Sequence, residues 1–253
     1  MSQQAANMVL IGDCRALMPA HGPFDLIIAD PPSGDTSLAW DRRGDGWLPL
    51  AHAALAPAGS LWVLGSLRCF MATATTFRDA GWKCAQEIVW EKQNRSCFHA
   101  DRFKRVHEVV VQFYRTDSAW SSVYNDVQTT PDATARSVRR ERRSPHTGHI
   151  EAGRHVSEDG VPRLMRSIIY ARNAHGRAIH PIEKPAALIE IVIRTSCPPR
   201  GLVGNWFAGS GAVGEACRLT SRRYLGCEID SEMAEPSQAR IAGALPFDDG
   251  ADA

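Results

Sequence analysis

Residues 201–229 read GLVGNWFAGSGAVGEACRLTSRRYLGCEI, and the order of apolar runs and glycines in them decides the fold. The apolar run at 201–207 predicts a strand, Gly209-Ser210-Gly211-Ala212-Val213-Gly214 is a GxGxxG turn, 211–220 predicts a helix and 223–229 a second strand. Glu228 ends that second strand, 19 residues after Gly209. Glycines let the backbone approach a ligand closely, and a carboxylate at that distance can accept hydrogen bonds from ribose hydroxyls, so the unit reads as a nucleoside-cofactor site.

Only about 40 residues follow the glycine turn, whereas a dinucleotide-dependent dehydrogenase needs several further βαβ units after it. The missing units must therefore lie upstream, which makes the sheet circularly permuted. Upstream, DLIIAD at 25–30 and SLWVLG at 60–65 read as buried parallel strands, with a helix over 47–56 between them and another over 67–80. Residues 83–90 and 107–114 predict an antiparallel pair at one sheet edge, and 186–196 and 231–242 predict helices. Between 115 and 178 periodicity is lost and Arg, Ser, Thr, Gly and Pro accumulate. The expected class is α/β, a permuted Rossmann-like sheet with helices on both faces and an inserted recognition region.

Asp30-Pro31-Pro32-Ser33 closes the first of these strands. A carboxylate beside a rigid proline carbonyl can accept hydrogen bonds from an aromatic NH2 and turn its lone pair toward an electrophile. On these residues alone, a strand ended by Pro-Pro with Asp30 as a solvent-facing cap explains the pattern equally well.

The chain has 253 residues, 44% of them hydrophobic, enough for one large domain or one domain with an insertion. The start, MSQQAANMVLIGD, shows no basic stretch leading into an apolar run, and no apolar segment reaches bilayer-spanning length, so a soluble cytoplasmic protein is expected, with no membrane partner. Seven cysteines without a CxxC pair speak against structural zinc and a disulfide framework. His107 and His180 lack a second ligand at suitable spacing and read as structural, so no metal is expected. The net charge of +1 hides a skew: residues 115–178 hold eleven arginines, no lysine and seven acids. That excess suits a nucleic-acid partner.

Taken together, Gly12-Asp13, DPPS at 30–33, GSLWV at 59–63, RFKRVHE at 102–108, HPIEKP at 180–185, FAGSG at 207–211 and GCEI at 226–229 resemble the β class of amino-DNA methyltransferases, in which DPP precedes FxGxG. The resemblance implies S-adenosylmethionine as cofactor, duplex DNA as substrate, base flipping and a homodimer. It further implies that Phe207, Gly209, Ser210 and Gly211 line the cofactor, that Glu228 beside Ile229 holds its ribose, and that His180 and Lys184 sit by its methionine end. Asp30, with Pro31, Pro32 and Ser33, becomes the amine-positioning motif at the cofactor. Asp13 is a candidate contact to the cofactor adenine, although a turn former explains it equally well. The likeness divides the chain into a catalytic half at 1–91, a target-recognition region at 92–178, a cofactor-binding half at 179–245 and a tail at 246–253.

Flipping a base costs a few kcal/mol, which backbone contacts must offset. Arg102, Lys104, Arg105, Arg136, Arg139, Arg140, Arg142 and Arg143 are candidate phosphate contacts, and Asn94 and Arg95 candidate base contacts; a solvated loop is the plain alternative for 136–143. Two positions depart from the family. Ser33 stands where an aromatic residue usually stacks on the flipped base, so that Trp40, Phe98 or Phe103 must supply the ring or activity is weakened. Asn205-Trp206 stands where Asp-Pro is common. Asp30, in place of the serine typical of cytosine-N4 enzymes, favours N6 of adenine. A cytosine-N4 enzyme, an inactive DNA-binding partner and an RNA or small-molecule methyltransferase are the competing readings.

Overall fold

The computed structural model describes residues 7–34, 41–92, 100–101, 103–130, 134–140, 153–172 and 183–244. In chain order the elements are β1 (Met8–Ile11), α1 (Cys14–Leu17), β2 (Phe24–Ala29), α2 (Trp47–Ala54), β3 (Leu55–Gly65), α3 (Leu67–Asp79), β4 (Trp82–Lys92) and β5 (His107–Arg115). Four short strands follow, β6 (Thr129–Thr130), β7 (Arg136–Arg140), β8 (Gly153–Ser157) and β9 (Arg163–Leu164). The chain then forms β10 (Ile168–Ala171), α4 (Ala186–Ser196), β11 (Leu202–Asn205), α5 (Ala212–Leu219), β12 (Arg223–Glu228) and α6 (Ser231–Gly243).

Eight strands make one sheet in the order β1-β12-β11-β2-β3-β5-β4-β10. All neighbouring pairs are parallel except β5, which runs antiparallel to both β3 and β4. The strands are apolar runs because both faces of the sheet are covered. Ile27, Ala29, Leu61 and Val63 point to a core shared with Trp47, Leu48 and Ala51 of α2 and Phe77 of α3. Leu26, Ile28, Trp62 and Leu64 point the other way, onto Leu188 and Val192 of α4, Val213 and Ala216 of α5 and Ile241 of α6. The continuous hydrophobicity of 26–29 thus divides residue by residue between two cores.

Three features differ from the sequence expectation. The helix over 47–56 stops at Ala54, because Arg115 Nη1 donates to the carbonyls of His52 and Leu55 at 3.3 and 3.2 Å and Leu55 already pairs with Phe24. The β4–β5 pair is not at the sheet's margin: β5 is interior, and β10, from the stretch read as irregular, adds outside β4. Four residues are too few to show a period, but Trp90 Nε1 donates to Ala171 O at 3.0 Å and fixes the strand there. Finally, 127–166 is a separate compact unit carrying two antiparallel strand pairs, β6 with β9 and β7 with β8.

One buried polar cluster ties α4 to the sheet. Gln112 of β5, fully buried, donates to Ser60 Oγ at 2.9 Å and to Ser196 Oγ at 3.2 Å, and accepts from Gln86 at 2.7 Å. Ser196 also accepts from Trp62 Nε1 at 2.8 Å. Replacing Gln112 by Leu strands these partners without water, and the expected loss is about 1–3 kcal/mol in urea unfolding. An unchanged midpoint would show the cluster to be energetically neutral.

Candidate active site

β2 and β11 are parallel neighbours, with Asn205 opposite Ile28, so their carboxyl ends emerge side by side. From β2 the chain passes to α2 on one face of the sheet; from β11 it passes to α5 on the other. Connections that part in this way leave a crevice at the strand ends. A cleft of about 420 Å3 opens there, and both the 30–33 and the 207–210 segments line it.

The glycine turn is built for close packing. Gly209 and Gly211 have φ of +50° and +76°, a region side-chain-bearing residues avoid. A Cβ on Gly211 would lie 2.8 Å from the carbonyl oxygen of Ser237 in α6. Glu228 Oε2 accepts from Gly209 N at 2.7 Å and its Oε1 from Asp230 N at 3.0 Å, so the strand-end carboxylate holds the turn and keeps acceptor capacity toward the cleft. Asn205, buried, accepts from Phe207 N at 3.3 Å, and the Phe207 ring meets Trp47 edge-on at 5.5 Å.

Asp30 lies at the opposite wall. Its Oδ2 is 2.6 Å from Lys184 Nζ, which is 3.7 Å from Glu108 Oε2; Glu108 in turn pairs closely with Lys92. Burial pushes the Asp30 carboxyl above the ordinary carboxylate range, with Lys184 opposing. Burial works against the Glu108 carboxylate too, but Lys184 and Lys92 outweigh it and hold that group below its ordinary value. Burial alone would lower Lys184, yet Asp30 and Glu108 raise it, so the lysine stays charged. Beyond Asp30 the loop is pinned by Asp41, whose Oδ1 accepts from Gly34 N at 2.8 Å, and by Arg43, whose Nε donates to Ser33 O at 2.8 Å.

Of the residues picked out from sequence, Asp30, Pro31, Pro32, Ser33, Lys184, Phe207, Gly209, Ser210, Glu228, Ile229 and Arg105 line this one cleft. Gly211 is the N-cap of α5 beside it. Asp13 is not among the lining residues; it caps α1, accepting from Arg15 N at 2.8 Å and pairing with the Arg15 guanidinium at 2.6 Å. Phe103 is fully exposed and Lys104 exposed, neither in the lining. Arg139 is exposed on β7; Arg136 and Arg140 share that strand, but their side chains lie outside the description. His180, Trp40, Asn94, Arg95, Phe98, Arg102, Arg142 and Arg143 lie outside the described residues. Sequence reasoning passed over Lys92, Glu108, Glu183, Arg240 and Asp41. For Glu108 the signal existed: it is a lone acid in the apolar strand HEVVVQFY, opposite Trp90 and diagonal to Lys92.

A permuted α/β sheet with a nucleoside-type glycine turn facing an Asp-Pro-Pro loop defines the class. The family model for DNA methylases of the N6/N4 type matches residues 24–239, and the chain belongs to that family, whose methyl donor is S-adenosylmethionine. Among curated proteins it is 22% identical to the type II methyltransferase M.HinfI of Haemophilus influenzae, over 95% of this chain and 69% of that protein. It is also 22% identical to the type II methyltransferase M2.DpnII of Streptococcus pneumoniae, over 86% and 82%. Among solved structures it shares its fold with M1.HpyAVI in complex with SAM, at TM-score 0.62 and 18% identity over 92% of this chain and 98% of that one. PvuII DNA methyltransferase, cytosine-N4-specific, matches at TM-score 0.64 and 16% identity over 94% and 89%.

Gly211→Ala combines a forbidden φ with a clash against backbone. Its expected cost is about 1–3 kcal/mol in denaturant unfolding. Full stability would mean that the turn can relax away from α6.

Proposed function

We propose that this DNA methyltransferase moves a methyl group from S-adenosylmethionine to N6 of adenine in duplex DNA, acting on a flipped base and as a homodimer. The observation that carries the reading is the cleft shared by Asp30 and the glycine turn, with the Asp30 carboxylate gripped by Lys184 at 2.6 Å. The dimer rests on the family resemblance.

The residues fit a nucleoside: a turn that lines the cleft at Gly209, where a Cβ would meet no protein atom within 4 Å, a ring at Phe207 and a strand-end carboxylate at Glu228. When bound, S-adenosylmethionine supplies an electrophilic methyl on a sulfonium. The turn and Phe207 would seat its adenosine, and Glu228 would hold its ribose hydroxyls. Asp30 and the Pro31 carbonyl accept hydrogen bonds from the target NH2, which frees the nitrogen lone pair from the ring. Lys184 keeps that carboxylate ionised in a water-poor cleft and fixes its direction. The amine proton, held at Asp30 during transfer, then leaves to water. Arg105 at the cleft, with Lys104 and Arg139, are assigned to DNA phosphates, together with the other arginines named from sequence.

The fold likeness to a cytosine-N4-specific enzyme leaves the target base to the motif, and Asp30 in place of a serine favours adenine. Nucleoside analysis of DNA methylated by the protein is expected to yield N6-methyladenine; N4-methylcytosine, or label going preferentially to structured RNA, would overturn the assignment. Tritiated-methyl transfer is expected to vanish in Asp30→Ala with cofactor binding retained, and transfer equal to wild type would remove Asp30 from the mechanism.

The acid limb follows from the raised Asp30 pKa. Only the ionised carboxylate accepts from the amine, so activity is lost as pH falls through that pKa, and the limb lies above the ordinary carboxylate range. Lys184→Met removes the charge that lowers the pKa, so the limb moves up by about 1–3 pH units. A downward or absent shift, read from kcat against pH, would contradict this.

A further inference from the structure

We infer that Arg240 and Glu183 form a positioning clamp through which α6 and the glycine turn hold Lys184 against Asp30. The inference rests on the role of Asp30 given above. Glu183 and Lys184 are chain neighbours that reach in opposite directions. Lys184 precedes Pro185, which confines it to extended backbone, and extended backbone sends successive side chains to opposite sides. On one side Lys184 Nζ meets Asp30 at 2.6 Å and Glu108 at 3.7 Å. On the other, Glu183 Oε1 meets Arg240 Nη1 at 2.8 Å.

Arg240 is engaged on three elements at once. Besides Glu183, its Nη2 is 2.6 Å from Glu215 Oε2 in the first turn of α5, and its Nη1 is 3.5 Å from Ser210 Oγ in the glycine turn. One turn earlier on α6, Ser237 donates its hydroxyl to the Gly209 carbonyl. The Glu183 side chain is 2% exposed and that of Arg240 15%. A carboxylate so buried is stable as an ion only beside its partner, so this pair fixes position in a way an exposed pair does not. Three joints therefore link the turn to Lys184: turn to α6 through Ser237 and Arg240, the ion pair of Arg240 with Glu183, and Glu183 through one peptide bond to Lys184. A displacement of about 1 Å at such a site is enough to lower turnover some 100-fold.

Among the described residues, the charged groups acting on Asp30 are Lys184, Glu108 from β5 and Lys92 from β4, and the cleft also holds Arg105, Asp41, Glu183, Glu228 and Asp230. Only Lys184 moves with Glu183. Loosening the clamp thus weakens the closest pairing of the Asp30 anion, leaving the more distant Lys92, and the acid limb must rise.

The experiment compares Glu183→Gln, Arg240→Met, Arg240→Lys, Lys184→Met and the Glu183→Gln/Lys184→Met double variant. It measures kcat against pH on duplex DNA, S-adenosylmethionine affinity by calorimetry, and thermal midpoint. Glu183→Gln is expected to lower kcat about 10- to 100-fold and to move the acid limb up toward that of Lys184→Met. The double variant lies no further up than Lys184→Met alone. Arg240→Met adds about a tenfold loss of cofactor affinity, since it also releases Ser210 and Glu215, while Glu183→Gln leaves affinity nearly unchanged. Arg240→Lys, which keeps the charge, restores part of the turnover and serves where Arg240→Met fails to fold. A limb unmoved in Glu183→Gln while rate and thermal midpoint fall together, or limb shifts that add in the double variant, would overturn the clamp. A limb unmoved in Lys184→Met itself would instead defeat the reading of Asp30.

Discussion

The adjacency of β2 and β11 is the constraint on which the rest of the molecule depends. These strands lie more than 170 residues apart in sequence, as the bond from Leu202 N to Asp25 Oδ2 illustrates with a separation of 177. Their parallel pairing turns two unrelated segments into the two walls of one cleft. The contact is close: a Cβ on Gly204 of β11 would lie 2.8 Å from the Phe24 ring of β2, so glycine there lets the strand pass under an aromatic side chain. Because Ile27 and Ala29 bury on one face and Leu26 and Ile28 on the other, a shift of register by one residue would exchange the two cores. The geometry of the site is thus protected by the same burial that stabilises the fold.

Much of this was legible in the sequence, and the reason is local. The β2 and glycine-turn segments carry strong punctuation, Pro-Pro after one and glycines after the other, and each is a dense apolar run. The permuted order shows in the sheet itself, where β11, which leads into the glycine turn, lies beside β2. What stayed hidden required tertiary knowledge. The position of β10 beside β4 cannot be read from IIYA, and the end of α2 is set by Arg115, some 60 residues away. Asp13 illustrates the opposite case, an acid whose partner, Arg15, is two residues along. Glu183 and Arg240 are unremarkable in sequence, because a salt bridge between a segment before α4 and the last turns of α6 has no periodic signature.

The electrostatics of the cleft form an alternating chain, Asp30, Lys184, Glu108, Lys92, with two acids and two bases. In a low-dielectric setting such a chain is favourable only when each charge has a neighbour of opposite sign, and removing an internal member strands the charge at its end: Asp30 if Lys184 goes, Lys92 if Glu108 goes. Among the described residues Asp30 stands at the end with Lys184 in contact, whereas Glu108 sits between Lys184 and Lys92. This asymmetry accounts for the opposite displacements of the two carboxyls, upward for Asp30 and downward for Glu108. Glu108, held low by its two lysines, thereby anchors Lys184, and Asp30 is the carboxyl that burial pushes up.

The two departures from the family pattern, Ser33 and Asn205, acquire a physical account from the same geometry. Asn205 is buried and neutral, and its amide oxygen accepts from the backbone at Phe207. A carboxylate there would add a third acid to a wall that already contains Glu228 and Asp230. Ser33 is small, and among the described residues the loop around it is fixed by Asp41 and Arg43. A hydrogen bond donated by the backbone to a buried carboxylate holds a loop firmly, because a buried carboxylate left without its donors is strongly disfavoured. Both the backbone and the hydroxyl of residue 33 face this anchorage, since Ser33 Oγ lies 3.5 Å from Asp41 Oδ2, so a serine there suits a loop that presents Asp30 through polar contacts.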